Sequence, residues 1–134
     1  MTDKILIVDD EEDLLDVLVK LFEYHGIETI TSSNPIHALH LFEVERPQVV
    51  LSDLKLGTGM DGLTLCGKIK TMAPKTVTIA MSGYLSSYDV AYCLGSGMFS
   101  DVIQKPFDNE LLIEIIRAWF RTHDRWNLAN GVKL

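Results

Sequence analysis

Five short apolar runs, each rich in β-branched residues and each followed by a stretch of helical periodicity, constrain this chain more than any other feature. The runs are Lys4 to Val8, Ile27 to Thr31, Val49 to Leu54, Thr76 to Met81 and Val102 to Gln104. The run from Val49 to Leu54, bounded by turn signals, fits a strand buried on both faces of a parallel sheet. Between them the apolar residues recur at helical spacing. Leu14, Leu15, Val17, Leu18, Leu21 and Phe22 form one stripe, closed by Gly26. Asn34-Pro35 opens a second helix with Ala38, Leu39, Leu41 and Phe42 inward, ending before Pro47. A third runs from Leu63 to Met72 with Asp61-Gly62 at its start, and a fourth from Ser86 to Gly95 with Val90, Ala91 and Leu94 inward. The last begins at Asp108 as N-cap and buries Leu111, Leu112, Ile115, Ile116, Trp119 and Phe120. Strand and helix alternating five times predict one three-layer α/β domain with right-handed crossovers.

The ends of the runs carry the chemistry. The first stops on Asp9-Asp10, the third on Asp53, the fourth on Ser82 and the fifth on Lys105. Parallel strands all finish on the same side, so these residues converge on one sheet edge, where ligand sites of open α/β sheets lie. Carboxylates meeting at one edge repel each other and require a cation, and hard oxygen donors suit Mg2+. A partly free Asp53 carboxylate is a nucleophile of the kind that forms aspartyl phosphates. Mg2+, the Lys105 ammonium and the Ser82 hydroxyl with a backbone N–H near Gly83 would then neutralise the phosphoryl oxygens. Pro106 fits a tight turn that aims Lys105, in which a cis Lys105-Pro106 bond is admissible.

Net charge excludes other classes. A formal charge of -7 and a pI near 4.9 argue against binding a nucleic-acid backbone, which relies on Lys and Arg. The N-terminal apolar run is too short for a signal peptide or membrane span. Cys66 and Cys93 lack CxxC spacing, so neither a disulfide framework nor a zinc site is indicated. His37 and His40 lack a third ligand and read as surface histidines. A cytoplasmic protein that does not contact membranes is the expectation.

Ile-Val-Asp9-Asp10-Glu11, Leu-Ser-Asp53, Ala-Met-Ser82-Gly83 and Lys105-Pro106-Phe107, in this order and spacing, resemble the receiver domain of two-component response regulators. The resemblance covers roughly residues 4 to 122. It implies a CheY-like, flavodoxin-like (βα)5 fold with a five-stranded parallel sheet of strand order 2-1-3-4-5. It also implies a phosphorylation-dependent switch rather than an enzyme, with self-catalysed phosphotransfer and autodephosphorylation at most. Asp53 would accept a phosphoryl group from a sensor histidine kinase or a histidine phosphotransfer protein. In the same implication Asp9, Asp10, Asp53 and the main-chain carbonyl of Lys55 hold Mg2+, and Ser82 and Lys105 contact the phosphoryl oxygens. The surface of the fourth helix, fifth strand and last helix would transmit the change, and a homodimer through it is possible.

The chain departs from the family pattern at Gly57, at Val102 and in the segment from Gly97 to Asp101, which holds an extra residue. Gly57 stands where a proline is usual, in a loop one residue longer. Val102 replaces the aromatic residue that often swings inward on activation, which leaves open a substitute role for Phe99. Lys55 and Tyr84 flank the site and are expected to slow hydrolysis of the phosphorylated state. A non-phosphorylated pseudo-receiver is one alternative. A phosphatase of the haloacid dehalogenase type is another, disfavoured because Lys55 occupies the place of its general-acid Asp. Residues 1–122 are read as the receiver, and 123–134 as an extension of the last helix or the start of a connector.

Overall fold

The computed structural model describes residues 2–57, 59–83 and 86–129. Strands β1 (Lys4–Val8), β2 (Glu28–Ser32), β3 (Val49–Asp53), β4 (Val77–Ser82) and β5 (Asp101–Gln104) alternate with helices α1 (Glu12–Tyr24), α2 (Pro35–Glu45), α3 (Gly62–Met72), α4 (Ser87–Gly95) and α5 (Asn109–Ala129). All strand pairs are parallel and lie in the order β2-β1-β3-β4-β5. The expected fold is therefore the observed one, with strand limits moved by a residue in β2, β3, β4 and β5.

The register explains why the functional candidates meet. Val8 pairs with both Ser32 and Ser52, and Asp53 with Met81, so Asp9, one residue beyond β1, is level with Asp53. Ser82 pairs with Gln104, which places Lys105 just past the same edge.

Successive strand residues point to opposite faces, and both faces are covered. Ile5, Ile7, Val49, Leu51, Ile79 and Met81 pack with Leu18 and Phe22 of α1 and Ile116 and Phe120 of α5. Leu6, Val8, Val50 and Ala80 face Phe42 of α2, Leu65 and Ile69 of α3 and Cys93 of α4. This double burial holds for β1, β3 and β4, whereas β2 and β5, at the sheet's two edges, are mostly half-buried.

Helix ends follow the predicted signals. Asn34 Oδ1 accepts from the N–H groups of Ile36 at 2.8 Å and His37 at 3.1 Å, and Asp61 Oδ1 from Thr64 at 2.8 Å. Asp108 Oδ1 accepts from the Leu111 N–H at 3.0 Å. Gly26 follows α1 with φ +78°, a conformation that favours glycine. Ser86 and Asp89 form a reciprocal capping box at the start of α4.

Four residues expected inward are exposed: Val17, Ala91, Leu94 and Leu111. Val17 lies opposite the Leu15–Leu18–Phe22 stripe of α1, and Leu111 opposite Leu112 and Ile116 on α5, where Ile113 is buried instead. On α4 the buried residue is Cys93. Phe99 is buried in the core beside Val102, which is half-buried, so it packs as an ordinary core side chain. His37 Nδ1 shares a 2.9 Å hydrogen bond with the Ser32 hydroxyl, a local contact at the start of α2.

Helix α5 passes residue 122 without a break and continues to Ala129. Near its end the Trp126 ring lies 4.2 Å beneath the Lys75 ammonium, so this part of the helix folds back on the domain. Residues 130–134 and Tyr84 lie outside the described residues.

Replacing Asn34 by alanine orphans two N–H groups at the start of α2. Urea unfolding followed by circular dichroism should show a loss of about 1 kcal/mol for Asn34→Ala and only a few tenths for Asn34→Gly. No loss in Asn34→Ala would mean that the side-chain oxygen does not act as the cap.

Candidate functional site

Just beyond the carboxyl ends of β1 and β3, the Lys105 ammonium bridges two carboxylates. Its Nζ is 2.6 Å from Asp9 Oδ2 and 3.1 Å from Asp53 Oδ2. Asp9 is fully buried and Asp53 nearly so, at 9% exposure. Each carboxylate uses its other oxygen for a backbone donor: Asp9 Oδ1 accepts from Glu11 N–H at 2.8 Å, and Asp53 Oδ1 from Lys55 N–H at 3.2 Å. Burial pulls the Lys105 ammonium downward. The hydrogen bonds and charges of Asp9 and Asp53 outweigh it, so the group titrates above the ordinary 10.5.

Asp10 is exposed and completes an oxygen cluster. One carboxylate oxygen each of Asp9, Asp10 and Asp53 lie within 4.8 Å of one another. Three hard anionic donors at this separation fit a small divalent cation such as Mg2+. Net charge supports the fit, because a single ammonium among three carboxylates leaves the cluster negative.

The lysine is placed by its backbone as well as by its charge. Lys105 N–H donates to the Ser82 carbonyl at 2.8 Å, tying the turn after β5 to the end of β4, and the Lys105-Pro106 peptide is cis. Ser82 is buried at the same edge. A cavity of about 530 Å³ opens beside Lys105, with Leu14, Pro106 and Phe107 in its wall. The sequence-predicted residues Asp9, Asp10, Asp53, Lys55, Ser82 and Lys105 thus gather at one edge. Lys55 is exposed, and its charge also acts on Asp89 of α4, whose carboxyl is held low mainly by hydrogen bonds from Ser86.

One positioning residue escaped the sequence reading. A Cβ on Gly62 would collide with the Asp53 carbonyl oxygen, and the Gly62 N–H donates to the Leu54 carbonyl at 3.0 Å. Helix α3 therefore starts in direct contact with the backbone of Asp53. The signal was present as Asp61-Gly62, but it read only as a helix start.

Comparison with known proteins gives consistent relatives. The family model described as "Response regulator receiver domain" matches residues 5–117. Sporulation initiation phosphotransferase F of Bacillus subtilis is 36% identical over 119 residues, covering 89% of this chain and 94% of that protein. The regulatory protein AtoC of Escherichia coli is 37% identical over 116 residues, 86% of this chain but only 25% of its own length. The chain thus spans a quarter of some relatives and nearly the whole of others. Among solved structures, a CheY-like response regulator receiver domain protein from Methanospirillum hungatei superposes with TM-score 0.86 at 28% identity, covering 93% of this chain and 98% of that one.

The contact at Gly62 predicts that Gly62→Ala costs about 1–3 kcal/mol in chemical denaturation, because backbone must shift to admit the methyl. Gly83→Ala, where a Cβ meets nothing within 4 Å, should stay within about 0.5 kcal/mol. The Lys105 pairing has a pH signature. A cation titrating higher when folded stabilises the fold below the ordinary 10.5 and loses that contribution as pH rises through its folded value. Wild type should therefore lose stability relative to Lys105→Met as pH rises above about 10.5. Parallel pH–stability curves for the two proteins would contradict the assignment.

Proposed function

The chain belongs to the response regulator receiver domain family, the phosphoacceptor modules of two-component signalling, and on that premise we propose that Asp53 is the residue that takes the phosphoryl group. The observation that carries this reading is the Asp9–Lys105–Asp53 bridge, which orients a carboxylate at the strand end.

In the proposed reaction an Asp53 carboxylate oxygen attacks phosphorus, and the bond from phosphorus to the donor's leaving atom breaks. The donor is a phosphohistidine of a sensor kinase or phosphotransfer protein, and the leaving nitrogen departs with the electron pair. Asp9, Asp10, Asp53 and the Lys55 carbonyl would hold Mg2+, which when bound supplies positive charge to the transferring oxygens. Lys105 releases Asp53 Oδ2 and turns its ammonium to a phosphoryl oxygen, while Asp9 keeps it within reach. The Ser82 hydroxyl, at the end of β4, donates to another oxygen. The family acts as a regulatory phosphoacceptor, and the reading for this chain is self-catalysed phosphotransfer and autodephosphorylation at most.

The output surface is α4, β5 and α5, where Tyr92, Leu94 and Leu111 are exposed. With Val102 at the place of the usual aromatic switch, and Phe99 committed to the core, the change at Ser82 reaches this surface without an aromatic swing. A modification shifts such an equilibrium only by its differential energy in the two states. Cytoplasmic residence follows from the proposed kinase partner, and among the described residues no helix is long and apolar enough to cross a membrane.

Intact mass after incubation with acetyl phosphate tests the acceptor. One phosphoryl group should be added in the presence of Mg2+, none after chelation, and none on Asp53→Asn. An adduct of equal yield on Asp53→Asn would place the acceptor elsewhere.

A further inference from the structure

A buried hydroxyl stands next to the acceptor and has no part in the reaction as described. Ser52 is fully buried in β3, between the apolar run Val49–Leu51 and Asp53. It pairs with Val8 of β1 and Ala80 of β4, and residues opposite one another share a face of the sheet. Ser52 therefore points into the layer of Leu6, Val8, Val50 and Ala80 beneath α2 and α3, whereas Asp53 points to the other face. A hydroxyl shut among apolar side chains is unfavourable unless it is hydrogen-bonded, and an apolar residue would suit this layer better. The Ser52 hydroxyl has an acceptor: it donates to the Asp53 carbonyl at 2.9 Å.

That carbonyl belongs to the peptide that joins Asp53 to Leu54, and both polar groups of this peptide are held. Its N–H donates to the Met81 carbonyl of β4 at 3.2 Å. Its C=O lies where the β1 ladder has stopped, because the last β1 pair is Val8 with Ser52, and the Ser52 hydroxyl takes the place of a further rung. Gly62 bounds the same carbonyl from the start of α3. A peptide is planar, so fixing its two polar groups fixes the direction in which the chain leaves Asp53. One residue further on, the Lys55 N–H donates to Asp53 Oδ1 at 3.2 Å, a contact that depends on that direction.

We propose that Ser52 is a positioning residue for the phosphoacceptor: its hydroxyl sets the plane of the Asp53–Leu54 peptide, and through it the Lys55 N–H that orients Asp53 Oδ1. This role presupposes Asp53 as the acceptor. Ser52 acts through the backbone from the opposite face of the sheet.

The test is the rate of phosphorylation by acetyl phosphate, followed by intact mass at fixed Mg2+ under conditions where urea unfolding shows each variant fully folded. Ser52→Ala should react roughly three- to tenfold more slowly than wild type, because a misplaced nucleophile is slowed without being removed. In the ¹⁵N-labelled chain its Lys55 amide resonance should move, while that of Gly26, beyond the far end of α1, should not. Ser52→Thr keeps the hydroxyl and Ser52→Val puts a methyl in its place at equal bulk, so threonine should restore most of the rate and valine should not. A purely structural role would lower the stability of Ser52→Ala but leave its rate per folded molecule and its Lys55 amide unchanged, and that result would overturn the proposal. Equal rates for folded Ser52→Thr and Ser52→Val would overturn it as well. Where a β-branched variant does not fold, wild type against Ser52→Ala decides. Peptide mapping of the wild-type adduct separates the two readings. A phosphoryl group on Asp53 with no effect of Ser52→Ala removes only the role of Ser52, whereas an adduct elsewhere, or none, removes the acceptor and this role with it.

Discussion

Two carboxylates buried side by side at one sheet edge repel each other, and Lys105 supplies the positive charge between them. Removing aspartate or lysine alone would leave the other charge buried and uncompensated, a more costly state than the ion pair itself. The bridge is also a structural tie, because it joins residues at the ends of β1, β3 and β5. With exposed Asp10 the edge carries a negative excess, of a kind that suits a cation. The same residues close the fold at this edge.

Geometry at the edge depends on short covalent and packing constraints rather than on many contacts. The strand register levels Asp9 with Asp53, and the Lys105 N–H bond to Ser82 fixes the start of the turn that carries the lysine. Gly62 lets α3 begin against the Asp53 carbonyl, where any side chain would push the loop away. Gly57 and Gly59, between Asp53 and the start of α3, are both at positive φ.

Most of the fold was legible because its information is local. Runs buried on both faces announce a parallel sheet, and Asn34, Asp61 and Asp108 marked helix starts that the structure caps as expected. Convergence of Asp9, Asp53, Ser82 and Lys105 followed from the direction of the strands alone. Other features were not legible, because they depend on which face of a helix meets the sheet. Leu111 and Val17 are apolar yet solvent-facing, and periodicity read over an apolar-rich helix overestimates the width of its buried stripe. The contact of Gly62 with Asp53, and that of Trp126 with Lys75, are tertiary, and no local pattern encodes them.

Helix α5 is a 21-residue rod, and at a rise of 1.5 Å per residue it is about 32 Å long. Its first turn follows the Lys105-Pro106-Phe107 segment directly, and its far end carries Trp126 to the opposite pole. A rod fixed near one end acts as a lever. A tilt of about 5° at the lysine turn displaces the distal end by nearly 3 Å, by simple proportion with that length. Movements too small to matter around the carboxylates are thereby amplified into displacements comparable to the spacing of atoms in a packed interface.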